Sequence, residues 1–108
     1  MNSKYTDDIF RYIFRIREEV PADDIYKNLA EEACELAQAA LKMCRVESKT
    51  NPTPVTVEEA RAKLIEEFTD VLNIAKVLAL TPNWSIGEAK LKRWCRRLDE
   101  VKGRNGSS

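Results

Sequence analysis

Between its prolines this chain repeats apolar residues every three or four positions, the spacing of one face of an α-helix, with little of the strict alternation that marks a strand. That period constrains the fold more than any other feature. A first helix is predicted from Thr6, as N-cap, to Val20, with Ile9, Phe10, Ile13, Phe14 and Ile16 on its apolar side. Pro21 interrupts, and Asp23 and Asp24 supply the cap and first-turn charge of a second helix reaching about Glu47, with Ile25, Leu29, Ala33, Leu36, Ala40, Met43 and Cys44 as its stripe. Two prolines in three residues make 48–54 a loop. Thr56 and Glu59 form a capping box for a third helix to about Leu80, carrying Val57, Leu64, Phe68, Val71, Ala75 and Leu78. After a turn at 81–84, Ser85 and Glu88 read as a second capping box, opening a helix through Ile86, Trp94, Leu98 and Val101. The expected architecture is all-α and four-helix bundle-like, built on a central antiparallel helix pair. It is a single helical domain over residues 1–102 with a flexible tail at 103–108.

The chemistry open to such a bundle is narrowed by what is missing. With no histidine, Ser-His-Asp and Cys-His catalysis, imidazole-bound zinc and Glu-x-x-His di-iron sites are excluded. No glycine-rich phosphate loop is present. Three cysteines at no metal-like spacing are expected to be structural, free thiols in a reducing compartment. No segment reads as a signal or a membrane span, so the expected location is the cytoplasm. Eighteen acidic and eighteen basic residues cancel, leaving no overall field to recruit nucleic acid. Lys90, Lys92, Arg93, Arg96 and Arg97 lack interleaved aromatics for base stacking and read as a solvated face.

Carboxylates remain, and their placement carries the functional reading. The chain has only two acidic pairs three residues apart, Glu32/Glu35 and Glu67/Asp70. At about 100° per residue, measured from Leu29 and Leu64 respectively, each pair falls at about −60° and −120°. On antiparallel neighbours, equal offsets face one side. The pairs are also equidistant in sequence from Asn51, in the middle of the loop, so all four carboxylates are expected at one height. At about 5 Å and an effective dielectric near 20, each like-charged pair costs on the order of 3 kcal/mol, a term that a divalent cation reverses. All-oxygen ligands suit Mg²⁺, or Mn²⁺, better than zinc or copper. Lys42 and Lys63 share this flank toward the loop and could neutralise phosphates, while Asn28 and Asn73 are polar candidates near the same side. Phe10, Phe14 and Trp84 could stack a base, although aromatics at helical spacing usually form core.

Glu31-Glu-x-x-Glu35 followed one loop later by Glu66-Glu-x-x-Asp70 resembles the signature of the MazG-like all-α nucleoside triphosphate pyrophosphohydrolases, over about residues 22 to 80. The resemblance implies that Glu32, Glu35, Glu67 and Asp70 ligate Mg²⁺ (or Mn²⁺). It implies a nucleoside triphosphate cleaved between its α and β phosphates to monophosphate and pyrophosphate, and assembly as a homodimer or homotetramer. Phosphoribosyl-ATP pyrophosphohydrolases share the motif and are the nearest alternative. Phosphoryl chemistry needs metal charge, positioned phosphates and an oriented water, and Glu35 is the preferred acceptor of the water's proton. A reading from another class is a non-catalytic helical adaptor whose acidic flank serves solubility or partner binding.

Overall fold

The described residues of the computed structural model, 3–48 and 54–106, form four α-helices and no strand. These are α1 (Ser3–Glu19), α2 (Ala22–Ser48), α3 (Val57–Val77) and α4 (Trp84–Gly106). α2 and α3 form the central antiparallel pair, α1 docks on α3, and α4 packs on no other helix beyond a marginal contact. No helix among the described residues is long and apolar enough to cross a membrane.

Local chemistry sets most boundaries. Thr56 caps α3 as expected: its Oγ1 accepts from the Glu59 N–H at 3.1 Å, and Glu59 Oε1 accepts from the Thr56 N–H at 3.4 Å. α1 already begins at Ser3, which puts Thr6 inside the helix rather than at its cap. α4 begins one residue before Ser85, because Asn83 takes the capping role through its Oδ1, 3.1 Å from the Ile86 N–H. Its helical backbone runs on through Gly103 to Gly106. Most of the expected loop, 49–53, lies outside the described residues.

α3 ends three residues before Leu80, in a Schellman closure. The Leu80 N–H donates to the Ala75 carbonyl and the Ala79 N–H to the Lys76 carbonyl, at 2.9 and 3.0 Å. This closure forces Ala79 to φ 57°, in the left-handed region where glycine normally serves. α1 adds a second tie to the last carbonyls of α3. Arg17 donates from Nε to Val77 O at 2.7 Å and from Nη2 to Lys76 O at 2.9 Å, placing a cation at the negative end of α3. The same guanidinium lies 5.7 Å from the centre of the Phe14 ring.

The core is thin. Only Ile25, Ala39, Ala60 and Val77 are buried apolar residues among those described. Phe10, Phe14, Phe68, Leu98 and both tryptophans, expected as core, stand exposed, as do Cys34, Cys44 and Cys95. The Cα radius of gyration is 19.2 Å, against about 13 Å for a compact domain of this length. One chain alone therefore does not close a bundle around its apolar surface.

Because an L-residue in the left-handed region costs on the order of 1 kcal/mol, Ala79→Gly is expected to stabilise the protein by up to about 1 kcal/mol, less the entropy glycine loses on folding. Chemical denaturation at fixed protein concentration measures it. A lower midpoint for the glycine variant would contradict the strain at this cap.

Candidate metal centre

α2 and α3 pack together, with Ala39 of one and Ala60 of the other buried. The acidic flank shares this burial. Glu67, the one buried charged residue among those described, is 5% exposed, while its neighbour Phe68 turns outward. The α3 seam therefore leans from the expected stripe toward its acidic flank: Leu64, Val71, Ala75 and Leu78 of that stripe stay half-buried, while Val57 and Phe68 are exposed. On α2, Ile25, Leu29, Leu36 and Ala39 turn inward, whereas Ala33, Ala40 and Cys44 of the expected stripe are exposed.

Glu32 and Glu35 from α2 and Glu67 from α3 meet here, each offering a carboxylate oxygen within 4.8 Å of the others. Asp70, half-buried one turn further along α3, lies outside this trio but close enough for its charge to act on Glu32. Burial, then the charges of Glu35 and Asp70, a hydrogen bond with Glu35 and the charge of Glu67 hold the Glu32 carboxyl above its ordinary range. Glu67 goes the other way. The hydrogen bond from Lys63 Nζ at 2.8 Å dominates, outweighing burial and helped by the Lys63 charge and a hydrogen bond with Glu35. Lys63 is raised in turn by its bond to Glu67 and by the charge of Glu66, 3.7 Å away.

The trio is not satisfied by protein alone. Glu32 Oε2 and Glu67 Oε2 are buried and accept no hydrogen bond. A buried acceptor left without a partner costs about 1–3 kcal/mol, and more when charged. Two such oxygens from different helices, on residues grouped with a third carboxylate, fit a hard divalent cation that takes oxygen ligands.

A cleft of about 590 Å³ opens from this cluster toward the loop end. Glu35 and Glu67 line it, followed by Lys42 and Lys63, so the two expected phosphate-binding lysines do lie beside the carboxylates. Gln38 and Arg45 line it too, and the sequence reading passed over both. The signal was available, since Glu35, Gln38, Lys42 and Arg45 are spaced three, four and three apart along one ridge of α2. Asn28 and Asn73 are not in this cleft. They line a separate cavity of about 190 Å³ with Ile16, Ile25, Ile74 and Val77, and Asn73 also borders a 410 Å³ cavity between α1 and α3. Phe10, Phe14 and Trp84 line none of these three spaces.

No family model matches the chain, and neither a curated protein nor a solved structure does so.

Since the Glu32 carboxyl is raised in the fold, the stability it contributes is present below the ordinary carboxylate pKa and is lost as pH rises through the higher folded value. In chelator at neutral pH, Glu32→Gln is therefore expected to unfold a few degrees above the wild-type protein, with the gap closing as pH falls. Glu67, lowered in the fold, has the opposite sign: its contribution is lost as pH falls through the lowered value. Equal melting temperatures for wild type and Glu32→Gln across that range would mean that burial and like charge do not act on this group.

Proposed function

We propose that this protein is a Mg²⁺-dependent nucleoside triphosphate pyrophosphohydrolase of the MazG-like all-α type, working as a homodimer or homotetramer. The observation that carries the reading is the convergence of Glu32, Glu35 and Glu67 from two helices, with two buried and unpartnered oxygens, at the mouth of a cation-lined cleft.

Glu32, Glu35 and Glu67 would hold the ion, with Asp70 beside them; Mn²⁺ suits the same donors. When bound, the ion would supply positive charge against the phosphate oxygens on which negative charge develops. The chain's own residues supply the rest. Lys42, Arg45 and Lys63 line the cleft on the loop side, where they can neutralise and align a polyphosphate. Lys63 pairs with Glu67 and Glu66, and an ion held by the carboxylates would share that charge and free Lys63 for phosphate. Glu35 is the most exposed of the trio and itself lines the cleft, which suits it to take the proton of the attacking water. Asn28 and Asn73, in the apolar cavity beside α1, can offer amide donors and acceptors to a less charged part of a ligand.

A helical adaptor is the second reading, favoured by the amount of apolar surface one chain leaves uncovered. Turnover separates the two. Purified protein with each nucleoside and deoxynucleoside triphosphate should release pyrophosphate only when Mg²⁺ or Mn²⁺ is present. Glu35→Gln and Asp70→Asn are expected to lose turnover by about a hundredfold or more, the scale of a lost general base or charge-stabilising group, while keeping their helical content. No metal-dependent turnover on any nucleotide would favour the adaptor, and wild-type rates in both variants would refute the carboxylate site.

A further inference from the structure

Both helices of the central pair carry more apolar surface than their seam uses. On α2, Tyr26, Ala33, Ala37 and Leu41 lie exposed outside the seam, and on α3 Ile65, Phe68 and Leu72 do the same. At about 100° per residue, both sets centre near +70° from Leu29 and from Leu64. Equal offsets on antiparallel neighbours share a side, so the two sets form one continuous apolar face, across the hairpin from the carboxylate flank.

α4 carries an element shaped for such a face. Trp84, Gly87, Leu91, Trp94, Leu98 and Val101 alternate in steps of three and four, the a/d pattern of a helix that seats against other helices. No helix among the described residues packs over this seam, and Trp84 and Trp94 are 78% and 65% exposed.

Charge narrows the occupant. α4 holds seven basic and three acidic residues. Pairing α4 with another α4 would set the basic flank of Lys90, Arg93 and Arg97 against its own copy, which is repulsive. The outer face of the hairpin is balanced, with Asp23 and Glu58 beside Arg61 and Lys76 at about +60° to +120°, and sets no such row of like charge against α4. The area agrees. The chain exposes 9119 Å², whereas a compact monomer of its mass exposes about 6100 Å². The excess, on the order of 3000 Å² per chain and so roughly 6000 Å² per pair, is at the upper end of what a large permanent interface removes from water.

We propose that α4 of one copy lies along the outer apolar face of the α2/α3 hairpin of a second copy, so that two chains exchange their fourth helices. This deepens the assembly part of the reading above and is independent of its chemistry.

The protein supplies its own probe, because both of its tryptophans are on α4. Sedimentation and selectively excited indole emission are measured together on the full chain. Expected are a dimer or larger species with blue-shifted emission, and a red shift on dilution that follows the dissociation curve. Phe68→Glu, a change on the hairpin and not on α4, should weaken association by about tenfold or more and shift the indole emission to the red. Far-UV circular dichroism confirms that this variant stays helical; if it does not, the wild-type dilution curve decides. An assembled wild type with fully exposed indoles, or dissociation that leaves their emission unmoved, would overturn the exchange of α4 while leaving assembly intact. A wild type that sediments as a monomer at all concentrations would overturn both, and a pyrophosphate assay on the same sample would report separately on the enzyme reading.

Discussion

Everything in this chain is arranged around an electrostatic conflict in a helix–helix seam. Two amphipathic helices pack together, and the side chains that share the burial of Ala39 and Ala60 include Glu32 and Glu67. Like charges at these separations repel, and the seam withholds the water that would otherwise screen them. The fold answers in two partial ways. Lys63 reaches Glu67 from one turn away, and Glu32 is driven toward its neutral form. Neither answer provides a partner for the buried oxygens Glu32 Oε2 and Glu67 Oε2. An interaction left this far from satisfied is unusual in a region whose only other task is packing, and such groups concentrate at functional sites.

Much of this was legible in the residues themselves. The helix count, the cap at Thr56 and the convergence of three of the four paired carboxylates, Glu32, Glu35 and Glu67, follow from period, spacing and the local symmetry of an antiparallel pair. What period could not supply was the rotation of each helix. An apolar arc that serves two contacts has its centre between them, and so marks neither. On α3 the predicted stripe included Phe68 and left out Glu67, because hydropathy weighs the whole arc, whereas the buried positions are Ala60, Glu67 and Val77. The same logic explains the aromatics. Phe10, Phe14, Phe68, Trp84 and Trp94 are apolar enough to be core, and one chain has no core large enough to hold them.

Cap chemistry shows a smaller version of the same limit. Ser85 with Glu88 and Asn83 with Ile86 are both competent ways to open α4, and the residues do not rank them. The turn that leaves α3 decides. Once Ala79 adopts its left-handed conformation and Leu80 folds back onto Ala75, Asn83 is the residue that reaches the first free amides of α4.

The rotation that buries the carboxylates is also the rotation that turns Ile65, Phe68 and Leu72 outward, so the two faces of the hairpin cannot be adjusted independently. Turning α3 to cover Phe68 would swing Glu67 out of the seam and dissolve the trio. Any ligand that rewards the seamed arrangement therefore also holds the outer face in place, and anything that covers the outer face helps keep the carboxylates together. By linkage the two effects are equal and reciprocal in free energy. A cation at Glu32, Glu35 and Glu67 and a second copy on the outer face would each tighten the binding of the other, with no contact between them beyond the two helices they share.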